Sequence, residues 1–149
     1  NFLWPYDRNE RKKARPKFYF FDCGVLRALQ QRLNDKPTPA EKGFLFETWF
    51  YGELCKIRDY QSKDHEIGFW RSGNHEVDFV ISSGRGPILA MECKSSSQFL
   101  TQATWQAFQK KFPKVPLVIA SAVEKKKRKL NNGLMIYPWK EALNFYKNF

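Results

Sequence analysis

The 149-residue sequence lacks any uninterrupted apolar run of about 18 residues, the length that a membrane-spanning helix requires. It also lacks an apolar segment near its start, where residues 1–15 are polar and basic, so no signal peptide is indicated. Its three cysteines, Cys23, Cys55 and Cys93, are odd in number and form no CxxC pair, which argues against a disulfide framework or a zinc site. This cysteine usage is typical of the reducing cytoplasm, where we expect the protein to act.

No GxxxxGK[ST] phosphate loop and no internal repeat occurs, so the sequence offers no nucleotide site of its own. What it has in excess is positive charge, since 26 Lys and Arg oppose 15 Asp and Glu for a net charge of +11. This charge favours a polyanionic partner such as nucleic acid. A membrane surface is the weaker alternative, because no basic amphipathic helix is evident. Charge alone does not distinguish DNA from RNA, although we expect DNA.

The order of apolar patterns predicts one α/β domain at residues 17–149, preceded by a basic linker or arm at residues 1–16. Three strands joined by short turns form an antiparallel meander, and a helix then leads to a buried strand in a βαβ crossover. The expected fold is a mixed central sheet flanked by helices on both faces. The predicted elements, in chain order, are strand Lys17–Phe21, helix Val25–Leu33, helix Pro39–Arg58, strands Glu66–Arg71, Glu76–Ser82 and Pro87–Lys94, helix Phe99–Phe112, strands Pro116–Val123 and Leu134–Tyr137, and helix Trp139–Phe149.

Two of these strands carry charges within otherwise apolar runs. Glu92 and Lys94 stand at the end of one strand, and their two-residue spacing puts both side chains on the same face. Asp78 lies in the preceding strand, and the hairpin brings it beside Glu92. Two carboxylates and a backbone carbonyl, that of Cys93, make a hard oxygen site of the kind that Mg²⁺ or Mn²⁺ takes. Lys94 would orient the attacking water or stabilise the developing charge.

Asp78, followed after a short hairpin by Glu92-Cys93-Lys94, resembles the PD-(D/E)XK nuclease superfamily. Many members carry an acidic residue in the helix before the meander, and here that residue is Glu47. More closely, the chain resembles the C-terminal domain of a group of prokaryotic AAA+-type ATPases. The matching phrases are Lys17-Phe18-Tyr19-Phe20-Phe21-Asp22-Cys23-Gly24, Gly43-Phe44-Leu45-Phe46-Glu47, Glu76-Val77-Asp78-Phe79-Val80, Glu92-Cys93-Lys94-Ser95-Ser96 and Tyr137-Pro138-Trp139.

This resemblance implies a restriction-endonuclease-like fold and metal-dependent hydrolysis of phosphodiester bonds. Asp78 and Glu92 would hold the metal, Lys94 would act on the water or the charge, and Glu47 would support them. The resemblance also implies an ATPase module upstream in the same polypeptide, and the start at Asn1 rather than Met leads us to expect a piece of a longer protein. One departure is Val77, which stands before Asp78 where the family has proline. That proline is not a metal ligand.

Structural roles compete with these assignments. Glu92 or Asp78 could form an ion pair with Lys94 at the end of the sheet, and the Glu47 carboxylate could simply accept a hydrogen bond from neighbouring backbone. At the level of function, the alternatives are a non-catalytic basic domain that docks an ATPase onto DNA or a protein partner, and a structural domain that forms oligomers.

A basic run follows the buried strand predicted at Pro116–Val123. It consists of Lys125, Lys126, Lys127, Arg128 and Lys129. Such a run is a solvated loop in many proteins, but the basic balance of the whole chain makes contact with nucleic-acid phosphates an equal alternative. Trp70 and Trp105 are candidates for stacking on bases if they are exposed.

Overall fold

The computed structural model describes residues 1–12, 14–97 and 100–149. Within these residues it contains four α-helices, one short 3-10 helix at Glu10–Lys12 and eight strands. In chain order the helices and strands are β1 (Phe2–Leu3), β2 (Lys17–Phe18), α1 (Cys23–Leu29), α2 (Pro39–Tyr60), β3 (Glu66–Ser72), β4 (His75–Ser83), β5 (Gly86–Lys94), α3 (Gln102–Lys111), β6 (Leu117–Ser121), β7 (Arg128–Lys129), β8 (Met135–Pro138) and α4 (Trp139–Lys147).

Six of the strands form a mixed sheet in the order β3-β4-β5-β6-β8-β7. Strands β3, β4 and β5 are antiparallel neighbours, whereas β5, β6 and β8 run parallel. The β3–β4 turn contains Gly73 at a φ of +56°, a conformation that glycine adopts without steric cost. The predicted α/β class, the antiparallel meander and the parallel pairing after the crossover are confirmed.

Two hydrophobic clusters cover the two faces of this sheet. The α2-side cluster, to which α2 and α4 contribute, includes Leu3, Tyr19, Phe50, Leu54, Phe79, Met91, Val118, Leu143 and Tyr146. The α3-side cluster includes Trp70, Val77, Val80, Ala90, Phe108, Leu117, Ile119 and Ile136. All five residues of β6 are buried, as a strand covered on both faces requires.

Several predicted boundaries shift for local reasons. Helix α2 begins at Pro39 as predicted, because Thr38 and Glu41 form a capping box. Helix α1 ends at Leu29, before the predicted Leu33, and Gln31 beyond it takes a φ of +56°, outside the helical range. The helix predicted from Phe99 begins at Gln102; Phe99 itself lies outside the described residues.

The N-terminal segment, interpreted above as a basic linker or arm, packs on the sheet. Leu3 is only 1% exposed and belongs to the α2-side cluster, and β1 pairs with β2 in a short antiparallel ribbon. The backbone N–H of Tyr6 donates to the Phe69 carbonyl at 2.9 Å. A side chain at Gly68 would meet the Tyr6 backbone at 2.7 Å, so this close approach requires glycine.

Candidate active site

Asp78 lies at an irregularity of strand β4. In the pairing of β3 with β4, Asp78 and Phe79 together oppose Phe69 alone, which is the arrangement of a β-bulge. Val77 and Val80 on either side of the bulge both lie in the α3-side cluster, although regular alternation would put them on opposite faces. The bulge thereby lets the Asp78 side chain reach the cavity beside α2.

The backbone ladder between β4 and β5 ends at the Phe79–Met91 pair, next to Asp78. Beyond it, side chains take over the hydrogen bonds that the ladder would otherwise make. Asp78 Oδ2 accepts from the Cys93 backbone N–H at 3.0 Å, and Glu92 Oε2 accepts from the Asp78 N–H at 3.2 Å. These two hydrogen bonds to main-chain atoms hold the carboxylates in fixed positions relative to each other.

Lys94 and Glu92 form the ion pair that their spacing on one strand predicts. Lys94 Nζ lies 2.7 Å from Glu92 Oε1. The Lys94 carbonyl accepts from the Ala122 N–H on the side of β6, whereas the Cys93 N–H points toward Asp78. The N–H and C=O of one strand residue point to the same side, so the Cys93 carbonyl also faces Asp78. This is the side on which the carbonyl would have to lie to join Asp78 and Glu92 as a metal ligand.

These groups open into a cavity of about 620 Å³ between the start of α2 and the end of β5. We call it the carboxylate pocket, and its lining includes Gly43, Glu47, Asp78, Glu92, Lys94 and Ser95. Glu92 is 5% exposed and Asp78 is 9% exposed, so both residues line the pocket with little access to bulk solvent. The structure thus brings all four side chains singled out in the sequence, at 47, 78, 92 and 94, to one place.

Sequence reasoning missed two residues of this site, Lys17 and Tyr19. Lys17 Nζ lies 3.0 Å from Glu47 Oε1, 3.1 Å from Asp78 Oδ1 and 2.6 Å from Glu76 Oε1. The Tyr19 hydroxyl donates a short hydrogen bond to Glu47 Oε1. Glu47 is therefore held by the side chains of Lys17 in β2 and of Tyr19 just after it, rather than by neighbouring backbone. The signal that could have found Lys17 is a charge in a short aromatic strand.

Burial and mutual repulsion shift the acid–base properties of the pocket. Burial and the charge of Asp78 raise the pKa of Glu92 to about 8, against the opposing effect of Lys94. Burial and Asp78 also raise the pKa of Glu47, although Lys17 and Tyr19 act in the other direction. Burial lowers the pKa of Lys17, but the charges of Asp78 and Glu47 more than offset this, so that its pKa is raised overall.

The acidic cluster holds one more acidic group than basic groups. Four carboxyl groups, those of Glu47, Glu76, Asp78 and Glu92, face the three cationic groups of Lys17, Arg71 and Lys94. Because the pKa of Glu92 is raised to about 8, this group holds a proton at neutral pH, and the other three carboxylates balance the three cations. When Glu92 loses its proton, one negative charge is left over in a largely buried place, and a further cation would offset it.

The donor set fits a divalent ion that keeps part of its water. In the part of the chain that the structure describes, no three Asp, Glu, His or Cys side chains are arranged to hold a metal by themselves. Mg²⁺, however, is commonly held by one or two carboxylates, with waters and substrate phosphates completing its shell. Asp78, Glu92 and the Cys93 carbonyl supply such a set, and the Lys17 ammonium, contacting three carboxylates, shows that the site already accommodates a cation.

The basic run at residues 125–129 begins near the end of the sheet at which the pocket lies, where β5 and β6 finish. It follows β6, whose last residue Ser121 pairs with Lys94. All five residues are exposed, and Arg128 and Lys129 form the edge strand β7 rather than a loop. Arg128 is paired with Glu124 at 2.6 Å and Lys127 lies over the Tyr137 ring, so the run is partly ordered by its own contacts.

Trp70, a candidate for stacking on bases, and His75 both lie away from the pocket. Trp70 is 2% exposed, so it is not available for stacking on a base. His75 contacts the Thr104 hydroxyl at 3.1 Å, on the α3 side of the sheet.

A family model described as a domain of unknown function, DUF4143, matches residues 42–147. The chain belongs to this family. The DUF4143 match includes Glu47, Asp78, Glu92 and Lys94, whereas Lys17 precedes it. Domains of the family are often found C-terminal to AAA ATPases. No curated protein and no solved structure gave a significant match.

In the described residues, none of the helices is both long and apolar enough to cross a membrane.

Proposed function

We propose that the domain hydrolyses phosphodiester bonds of nucleic acid, with DNA as the favoured substrate, in a reaction that depends on Mg²⁺ or Mn²⁺. The observation that carries the proposal is the convergence of Asp78, Glu92 and Lys94 in one cavity, where the ladder between β4 and β5 ends. The resemblance to PD-(D/E)XK nucleases rests on the same three residues.

Each residue has a role that follows from its contacts. Asp78, Glu92 and the Cys93 carbonyl would hold the ion, which supplies a lowered pKa for a bound water and a positive charge beside the phosphate. Lys94 is held 2.7 Å from Glu92 Oε1, at the rim of the same pocket, where its ammonium can orient a water or offset charge on the phosphate. Glu47 supports the site by keeping negative charge near it, anchored by Tyr19.

Binding of the substrate would rest on charge. The net charge of +11 attracts a polyanion, and residues 125–129 give an exposed basic strip that starts at the pocket edge of the sheet. We further propose that an AAA+ ATPase module precedes the domain in the same polypeptide, as the family association favours, and that the protein acts in the cytoplasm.

A second function has its own support. Each oxygen of Asp78 and Glu92 already has a partner within the protein, namely Lys17, the Cys93 N–H, Lys94 and the Asp78 N–H. A pocket neutralised in this way could serve a non-catalytic domain that docks the ATPase onto DNA or a protein partner. Hydrolysis of the substrate separates the two functions.

The test is incubation of the purified domain with end-labelled single-stranded DNA, double-stranded DNA and RNA, with Mg²⁺, with Mn²⁺ and with EDTA. Catalysis predicts products with at least one of the ions and none with EDTA. Binding of the same nucleic acids in gel-shift experiments, with no products under any metal condition, would replace the catalytic proposal with the docking function.

A further inference from the structure

Lys17 occupies the position of a cation among the acidic groups of the site. Its ammonium contacts the carboxylates of Glu47, Glu76 and Asp78 at 3.0, 2.6 and 3.1 Å. Lys94, by comparison, pairs with the single carboxylate of Glu92. With three acidic partners around its ammonium, Lys17 is the group that offsets their negative charge.

The contacts of Asp78 show what this ammonium blocks. Asp78 Oδ2 is committed to the Cys93 backbone N–H at 3.0 Å, and Lys17 takes Oδ1. The oxygen that remains for a metal is therefore the one that Lys17 holds. An ammonium and a divalent ion cannot share this oxygen at close range, because like charges at a few ångström repel strongly in a buried place.

We propose that Lys17 is an intrinsic counter-cation that competes with the divalent ion for Asp78, so that the position of its ammonium sets the metal affinity of the pocket. This inference rests on the proposed function, since it concerns the same metal site. It assigns to Lys17 a regulatory role: the protein stays neutralised without metal, and metal enters when the ammonium moves away.

The surroundings of Lys17 allow its side chain to leave without disturbing the fold. Its backbone pairs with Leu3, which is buried, so the main chain at this point is fixed. The Lys17 side chain is 17% exposed, and rotation about its flexible four-carbon chain gives the ammonium a route to solvent. After it leaves, Glu76 keeps its pairing with Arg71 and Glu47 keeps its hydrogen bond from Tyr19. Asp78 Oδ1 and Glu76 Oε1 then lose the contact with the ammonium, and Asp78 Oδ1 is the proposed metal ligand.

The test is calorimetric titration of the full chain with Mn²⁺, using wild type, Lys17→Met and Lys114→Met. Lys114 is an exposed residue in the loop after α3, so its replacement makes the same change in net charge away from the pocket. We expect Lys17→Met to bind Mn²⁺ at least about tenfold more tightly than wild type, with Lys114→Met unchanged. Equal or weaker binding by a folded Lys17→Met would overturn the proposal.

Two further variants keep the test decisive. Lys17→Arg retains the charge and should keep the wild-type affinity, while Lys17→Met combined with Asp78→Asn should lose the gain and so locate the ion. If Lys17→Met is poorly folded in EDTA, its thermal unfolding with added Mn²⁺ gives a second readout. A larger rise in its melting temperature than in that of wild type supports the competition, and an equal or smaller rise contradicts it.

The failure of this inference can be told from failure of the proposed function. Metal-dependent cleavage by wild type, with unchanged Mn²⁺ affinity in Lys17→Met, would remove the competition and leave the nuclease. Tighter Mn²⁺ binding through Asp78, with no cleavage by any variant, would remove the nuclease and leave the competition.

Discussion

Glu92 Oε2 accepts a hydrogen bond from the Asp78 backbone N–H at 3.2 Å. The carboxylate on β5 is thus bonded to the main chain of the residue that carries the carboxylate on β4. The bond holds two acidic residues together where repulsion would otherwise separate them. Their placement is a property of the fold, since Asp78 lies within β4 and Glu92 within β5, next to the point where the ladder between these strands ends. The chemistry that we propose depends on this pair.

The first prediction concerns pH and Glu92. The pKa of Glu92 is raised in the folded state to about 8, from an ordinary value of 4.5, because of burial and Asp78. Between these values the folded protein keeps a proton that the unfolded chain has released, so stability falls as pH rises through this window. Glu92→Gln cannot titrate. Its stability relative to wild type should therefore rise with pH, by up to about 1.4 kcal/mol per pH unit, in urea denaturation at several pH values.

Glu124→Gln is the control for this series, with the opposite sign. Arg128 lowers the pKa of Glu124, so the small contribution of that pair is present at neutral pH and is lost as pH falls. A Glu92→Gln protein whose stability tracks that of wild type at every pH would show that Glu92 is not raised as described.

The second prediction concerns residues 125–129. Replacing all five with Gln should weaken DNA binding and reduce the slope of log K against log salt by about 0.9 for each DNA phosphate that the protein no longer neutralises. The melting temperature should change little, since the residues are exposed. Fluorescence titration at several salt concentrations measures the slope.

A charge-matched control separates contacts between the basic run and DNA phosphates from the attraction that the net charge of the whole protein exerts on DNA. It replaces five exposed lysines outside the run with Gln: Lys36, Lys110, Lys114, Lys140 and Lys147. If the control weakens binding as much as the replacement of the run does, the run has no special role and the net charge alone attracts DNA.

The third prediction concerns the packing of the N-terminal segment against the sheet. Gly68→Ala would place a methyl group 2.7 Å from the Tyr6 backbone and 2.9 Å from the Trp4 carbonyl, so the segment must move. We expect a decrease of about 1–3 kcal/mol in the free energy of unfolding. Gly84→Ala is the matched control, because a methyl group there meets no atom within 4 Å. Equal stability of the two variants would mean that residues 1–6 do not pack as described.

The sequence predicts those residues of the site that lie on strands adjacent in the chain, and misses the residue that comes from a distant segment. Asp78, Glu92 and Lys94 lie on adjacent strands joined by a short turn, so pattern and spacing were enough to bring them together. Lys17 lies 61 residues before Asp78, on a strand of two residues outside the main sheet. Such a contact depends on the packing of the whole chain, which local propensity does not encode.

The bulge at Asp78 was hidden for a related reason. Val77-Asp78-Phe79-Val80 reads as a regular strand, and alternation alone assigns Val77 and Phe79 to one face. In the structure these two residues lie in different clusters, because two residues oppose Phe69. The edge strand β7 was also missed, since its two residues, Arg128 and Lys129, carry charges and no apolar pattern.

The most direct test of the proposed chemistry is DNA cleavage by wild type, Asp78→Asn and Asp64→Asn, assayed side by side with Mn²⁺. Asp64 is an exposed residue just before β3, so its replacement makes the same chemical change outside the pocket. We predict cleavage by wild type and Asp64→Asn, and loss of nearly all cleavage in a folded Asp78→Asn. Cleavage by Asp78→Asn at the wild-type rate would contradict the proposed site, because the hydrolysis would then come from elsewhere.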